Sequence, residues 1–433
     1  MDDGIKTRIC DCAASLRDEI IKVVSDTVKI PSVSPEFCWN SQEGADGESR
    51  VNAYMRKVME DAGLETDFFA AVDGRHNLVG KRRGTGGGKS LLFNGHVDVV
   101  PPGDIPWKEA GPFSGKVADG YIHGRGSVDM KGGNAAAAFA VKALLKAGFQ
   151  PRGDVIIQSV VGEECKATEA GTGACLDRGY LADAAIVMEP TSSQVMPFEI
   201  NTASSGIFEM KWTVKGKPVH AGLRREVIRD GGAGAVFGVD AIEKGMIIYN
   251  AVKELERRWG QTKKHPMYKP GNFCINGATI KAGEGPSFVP GSMEMSYAIF
   301  YPPQDTPEQI KREIEEQIRL ASQTDPWLRE NPPEITWIFN WPSFDVSIDE
   351  EFCRTVQRQV KQIRPEGGEF TGMFAVCDAS FLFEKNIPVV VLGPGENKYT
   401  HSVEEKLSVE QLMEAVAMYA LIIAEWCGLQ DRT

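Results

Sequence analysis

Acids and imidazoles at five places in this 433-residue chain stand close to apolar or alanine-rich runs, and their types suit metal ligation. LLFNG, from Leu91, runs into His96-Val97-Asp98, and DVIIQSVVG, from Asp154, into Glu163-Glu164. AAIVM, from Ala184, runs into Glu189-Pro190, and VVVLGPG is followed six residues after Gly395 by His401. Asp129, in GRGSVDMKGG, directly precedes an alanine-rich stretch. Two divalent cations about 3.5–4 Å apart can hold one hydroxide between them and polarise a carbonyl. Such a pair needs a shared carboxylate, then a nitrogen and an oxygen donor for each ion. Asp129 can bridge, His96 and Glu189 can serve one ion, and Glu164 and His401 the other. Two apart on an extended strand end, His96 and Asp98 point the same way. The Asp98 carboxylate is therefore expected to accept a hydrogen bond from the ring and fix its tautomer. Adjacent Glu163 and Glu164 point differently, so one can ligate while the other takes a proton from water.

These residues need a frame that brings them together. The four runs are near-continuously apolar, as strands buried on both faces of a parallel α/β sheet are. Ligands in such sheets collect beyond the carboxyl ends of the strands, where these side chains fall. KGGNAAAAFAVKALLKAG reads as a helix closed by Gly148, and the first 30 residues or so as one amphipathic helix ending at Pro31. Another helix is expected from Glu48 to Ala62, and a last one over SVEQLMEAVAMYALIIAEWCG with Ser408 as its cap. From about Ser205 to Trp341 the order changes to strand, helix, strand, strand, helix, strand, with clearer alternation. That is the ferredoxin-like order. The expectation is a catalytic α/β domain over 1–204 and 342–433, interrupted by an α+β domain over 205–341.

Bulk properties narrow the function classes. The formal net charge is −12 and no basic block is present, which argues against nucleic acid or an anionic membrane as partner. No apolar run approaches the roughly 20 residues of a membrane span. MDDGIKTRICDC is unlike a signal peptide, and nine scattered cysteines do not form a disulfide framework, so a cytoplasmic protein is expected. Taken singly, His96 and His401 read as satisfied histidines and Glu163-Glu164 as a solvated acidic pair; the metal reading rests on all five positions together. His76, His123 and His265 read as structural, and Cys165 as a packing residue. GTGGGKS, from Gly84, lacks the spacing of a phosphate loop and precedes a strand instead of following one.

GHVDVVPPGD, GRGSVDMKGG, GEE, the ME-P step and THSVEE, in that order, resemble the M20 metallohydrolases of the ArgE/DapE/aminoacylase type, from about residue 15 to 425. The resemblance implies a hydrolase of amide or related C–N bonds in a small molecule. It implies His96, Asp129, Glu164, Glu189 and His401 as ligands, Glu163 as general base and Asp98 as orienter of His96. Two divalent ions are implied as cofactors, with zinc expected and cobalt or manganese accommodated by the same donors. It further implies a cis peptide after Asp129 and an inserted lid that forms a homodimer. In KGKPVHAG, His220 matches the lid histidine that steadies the oxyanion in the neighbouring subunit's site.

The departures bear on substrate. Where amino-acid-processing relatives carry a D-I-R-like motif, this chain reads Ala298-Ile299-Phe300, and a common N-x-x-P segment is Ser287-Phe288-Val289-Pro290. Phenylalanine cannot replace a guanidinium that grips a carboxylate with two hydrogen bonds. YPP and TDPWLRENPP are similar to a deacylase subgroup of the family. A formylated or acylated amine, or an aromatic amine, is therefore expected over an N-acyl-amino acid. The rivals are a carboxypeptidase or dipeptidase and, from another class, a non-catalytic metal-stabilised dimeric binding module.

Overall fold

Valine, isoleucine and leucine crowd both faces of the four apolar runs, so helices must cover the sheet they form. The computed structural model describes residues 1–37, 46–227, 237–373 and 375–431. Two compact units emerge: Met1–Thr202 with Val346–Met373 and Cys377–Thr433, and Ala203–Asp345 with Phe374–Val376.

The first unit begins with helices α1 (Asp3–Ala14), α2 (Arg17–Val28) and α3 (Gly47–Asp61), then strands β1 (Glu65–Val72), β2 (Arg75–Arg82) and β3 (Leu91–His96). Helix α4 (Gly132–Lys146) and strands β4 (Val155–Val160), β5 (Ala185–Val187) and β6 (Ile200–Ser204) follow. In the second unit come β7 (Gly206–Lys215), α5 (Ala241–Thr262), β8 (Ile275–Ala282), β9 (Ser292–Tyr301), α6 (Pro307–Ser322) and β10 (Glu334–Trp341). The chain returns with α7 (Glu351–Ile363), β11 (Val389–Val391) and α8 (Val409–Trp426).

The main sheet runs β1-β2-β4-β3-β5-β11-β6. Its centre, β4-β3-β5-β11, is parallel, as the apolar composition requires, while β2 and β6 join it antiparallel. Helices α4 and α8 pack together on it, both lined with small and aliphatic side chains that are almost wholly buried. One expectation fails at the N-terminus, where the first 30 residues form two helices. The Asp2 side chain accepts the Gly4 N–H and starts α1 ahead of the apolar pattern. The helix buries only Ile9 and Ala13, too small a stripe to read from the sequence.

The second unit is a four-stranded antiparallel sheet ordered β8-β9-β7-β10, the ferredoxin-like arrangement. One face packs Phe208, Met210, Trp212, Met295 and Tyr297 against Ile248, Val252 and Trp259 of α5 and Ile310 and Ile314 of α6. Thr306 and Gln309 close a reciprocal cap on α6, with Pro307 in its first turn. Strand β8 is an edge, exposed along all but its first residue. Among the described residues, no helix is long and apolar enough to cross a membrane.

Candidate metal centre

Four of the five expected ligands lie at or just after the end of a strand or in the turn before α4, and His401 lies farther along the loop after β11. His96 is the last residue of β3, Glu189 stands two residues past β5, and His401 stands ten residues past β11, after the single helical turn Asn397–Tyr399. Glu163 and Glu164 begin the turn after β4, which Gly162 enters at φ 83°. Asp129 occupies the turn Ser127–Lys131 that leads into α4, and the Asp129–Met130 peptide is cis. Gly393 lets the β11 end approach β5, since a Cβ there would stand 2.2 Å from the Met188 carbonyl oxygen and 2.5 Å from that of Glu189.

Two donor clusters result, His96–Asp129–Glu189 and Asp129–Glu164–His401, each with its donor atoms within 4.8 Å of one another. His96 Nε2 lies 3.0 Å from Asp129 Oδ1 and 3.4 Å from Glu189 Oε1. His401 Nε2 lies 3.0 Å from Glu164 Oε2 and 3.3 Å from Asp129 Oδ2. Asp129 thus offers one oxygen to each cluster, as a carboxylate shared by two ions would.

The electrostatics call for cations. Burial opposes the charge of Asp129, yet hydrogen bonds with His401 and His96, and their charge, hold its carboxyl well below the usual range. Burial, with the Asp129 charge added, pushes Glu189 up to about 7 despite its bond with His96. His401 is raised to about 10, chiefly by its hydrogen bonds to Asp129 and Glu164. Glu163 is driven well above the carboxylate range by burial first, with Glu189, Asp378 and Glu164 adding and His96 opposing. Four acids share this space with two imidazoles. A nitrogen and carboxylate oxygens in each cluster, joined by one shared acid, fit two divalent cations.

Asp98 departs from its expected contact. The His96 ring meets the Asp98 backbone carbonyl, Nδ1 to O at 2.9 Å, while the nearer carboxylate oxygen is 3.7 Å away. The carboxylate is engaged elsewhere, accepting the backbone N–H of Glu164 at 3.1 Å and of Glu163 at 3.3 Å. With Nδ1–H directed at the carbonyl, Nε2 faces the acids.

His220 belongs to the second unit, exposed in a short strand pairing with Phe288–Val289. Its Nδ1 accepts the Gly222 N–H at 3.1 Å, which puts the neutral ring's proton on Nε2. Phe300 alternates with the inward Ile299 and Tyr301, so it lies on the sheet face away from α5 and α6. No arginine occurs in any of the four strands of that sheet. Burial pushes the Cys165 thiol up to about 11, which suits packing and not nucleophilic attack. His76 stacks on Phe68 with ring centroids 4.6 Å apart, and His265 pairs with Asp345.

Two arrangements escaped the sequence reading. In the strands, Asn94 donates to Gln158 at 2.9 Å and to Thr172 at 2.7 Å, and Thr172 donates to Asp378 at 2.6 Å. This buried polar chain braces β3 and β4 from within; the interruptions N in LLFNG and Q in DVIIQSVV were its only signal. The second is Glu405, which binds the Asp129 turn through its carboxylate. The acid pair in THSVEEK gave no hint of direction.

Residues 92–425 match the sequence profile described as Peptidase family M20/M25/M40. An N-formyl-4-amino-5-aminomethyl-2-methylpyrimidine deformylase of Halalkalibacterium halodurans is 34% identical over 429 residues, covering 96% of each chain. The Bacillus subtilis deformylase of the same name is 33% identical over 426 residues, covering 95% of each. Among solved structures, a tripeptidase from Staphylococcus aureus superposes with a TM-score of 0.72 at 18% identity, covering 95% of this chain and 98% of that one. The last likeness concerns the fold alone.

Proposed function

The chain belongs to Peptidase family M20/M25/M40 and is a metal-dependent hydrolase of an amide-type C–N bond; from that premise we propose that it removes the formyl group from a small N-formylated amine bearing an aromatic ring. The favoured substrate is an N-formyl aminomethylpyrimidine or a close analogue without an α-carboxylate. Two relatives named for that chemistry, each at least 33% identical across almost the whole chain, support this. The absence of arginine from the strands around Phe300 supports it independently, because a carboxylate would find no guanidinium there.

One observation carries the hydrolytic reading: two nitrogen–carboxylate clusters share Asp129, with the Glu163 backbone fixed beside them. His96, Asp129 and Glu189 would hold one ion, and Asp129, Glu164 and His401 the other. Zinc is the proposed metal, and cobalt or manganese would suit the same donors. When bound, the ions supply positive charge that polarises the formyl carbonyl and acidifies water. Glu163 accepts the proton of the attacking water on a carboxylate oxygen and delivers it to the leaving nitrogen. His220 is proposed to donate through Nε2–H to the developing oxyanion in the neighbouring subunit's site. Asp98 holds the Glu163–Glu164 turn, and its carbonyl orients the His96 ring. We also propose the second unit as a lid and as the contact of a homodimer. Its bare edge strand β8, with Ile280 56% exposed, supports pairing with a second copy. Light scattering of the purified protein tests that step.

The deciding experiment is a hydrolysis screen with and without chelator, setting N-formyl aminomethylpyrimidines and N-acyl aromatic amines against N-acyl-amino acids and dipeptides. Chelator-sensitive turnover of the first group is expected. Efficient turnover of N-acyl-amino acids would overturn the reading of Phe300.

A further inference from the structure

The turn that carries Asp129 is held by a carboxylate from a distant part of the chain. Glu405 Oε1 accepts the backbone N–H of Gly126 at 2.8 Å, of Val128 at 3.1 Å and of Asp129 itself at 3.3 Å. Its other oxygen pairs with the Arg125 guanidinium. A second nitrogen of that guanidinium reaches the His401 carbonyl at 3.4 Å, and the group lies 5.3 Å from the centroid of the Trp107 ring. Both partners are buried, Glu405 at 1% exposure and Arg125 at 2%.

The placement of this pair is informative. Arg125 stands four residues before Asp129, and Glu405 four residues after His401. Two of the three loops that supply ligands to the second cluster, those of Asp129 and His401, therefore each supply one half of a buried ion pair that joins them. Desolvating two charges is costly, and apolar residues of like volume often serve stability as well or better. What apolar residues cannot supply is an acceptor for three converging amides, or a rigid link to the loop carrying His401. Ligand positions must be held to within about 0.5 Å for a productive site, and outer hydrogen bonds to ligands set metal affinity.

We propose that Glu405 is a positioning residue that fixes the Asp129 carboxylate relative to His401 and thereby sets the second metal position. The inference rests on reading Asp129 as the ligand shared by two ions. Glu405 touches neither ion nor substrate; it acts through the amides of residues 126–129 and through Arg125.

The test uses the full-length protein, stripped of metal and titrated with Mn(II). Stoichiometry and affinity come from calorimetry, and pairing of the ions from the exchange-coupled electron paramagnetic resonance signal. The wild type is expected to take two ions and show the coupled signal. Glu405→Ala is expected to keep a native circular dichroism spectrum, bind the second ion about a hundredfold more weakly and lose the coupled signal. Glu405→Gln, with its one oxygen on the three amides, turns its NH2 toward Arg125, so about a tenfold weakening is expected. Glu404→Gln, at the exposed neighbour paired with Lys108, should match the wild type. Two tightly bound, coupled ions in Glu405→Ala would overturn the inference alone. If that variant does not fold, wild-type affinity and coupling in Glu405→Gln would do so. Fewer than two ions in the wild type would instead overturn the metal-centre reading, and the inference with it.

Discussion

The Asp98 carboxylate and the Glu164 backbone amide are joined by a 3.1 Å hydrogen bond, and the Glu163 amide shares the same carboxylate at 3.3 Å. The residue just past β3 therefore anchors the turn after β4, tying the strand end that carries His96 to the loop that carries both glutamates. A single side chain aligns a proposed metal ligand with the proposed base.

Asp98→Ala leaves both amides without their acceptor, a loss of about 1–3 kcal/mol for each buried group left unpaired. Asp98→Asn keeps one acceptor oxygen and should lose less. Urea unfolding gives the two values. Because the backbone carbonyl meets the His96 ring, Asp98→Asn should still bind an ion at the His96–Asp129–Glu189 cluster. Complete loss of metal from that variant would show that the carboxylate, not the carbonyl, governs the ring.

Glu163→Gln should retain both ions, since Glu163 is in neither donor cluster, yet lose about 10²–10⁴ in kcat. Metal analysis and steady-state kinetics on one preparation check both halves. Activity within about tenfold of wild type would remove Glu163 from the role of base.

Chelation should abolish turnover and lower the melting temperature together. Without cations the carboxylates of Asp129, Glu164 and Glu189 face each other with only His96 and His401 to offset them. Free metal at a hundred times its Kd stabilises the folded state by about 2.7 kcal/mol. Differential scanning calorimetry across a zinc titration should show the transition rising with metal. A transition indifferent to metal would mean the ions do not bind the folded chain.

Glu414, on α8 and away from the ligands, gives a pH test of the fold. Burial raises its carboxyl from 4.5 to about 7, with Arg364 opposing and the charges of Glu410 and Glu366 adding. Below pH 4.5 both folded and unfolded chains keep the proton. Between 4.5 and 7 only the unfolded chain releases it, so this group's contribution to stability falls as pH rises and levels off above 7. Glu414→Gln should therefore match the wild type near pH 4 and exceed it near pH 8, by about 1–3 kcal/mol. Urea unfolding at the two pH values decides it, and a variant less stable at pH 8 would contradict the shift.

The frame of the site was legible because parallel strands have a period-free apolar signature and a fixed functional end. His96, Glu163, Glu164, Glu189 and His401 could be gathered without knowing the order of the strands in the sheet. The alternating strands of the second unit were equally plain, since one face of each is polar. What stayed hidden depended on direction. Nothing in HVD says that the Asp98 carboxylate turns toward Glu164 while its carbonyl takes the ring. Nothing in VEEK says which glutamate is buried beneath the Asp129 turn. Helix α1 was missed because its buried stripe amounts to Ile9 and Ala13 in a charged stretch.

The position of β11 in the sheet has a consequence for synthesis on the ribosome. It lies between β5 and β6, both of which emerge before the second unit, whereas β11 emerges after it. At about 5–20 residues per second, the whole insertion is translated while β5 lacks that neighbour, an interval on the order of ten seconds or more. An apolar strand with an open edge is prone to wrong pairing, so this gap is where a nascent chain most needs a chaperone. His401 also arrives only then, so the proposed metal centre cannot be complete until residue 401 has been made.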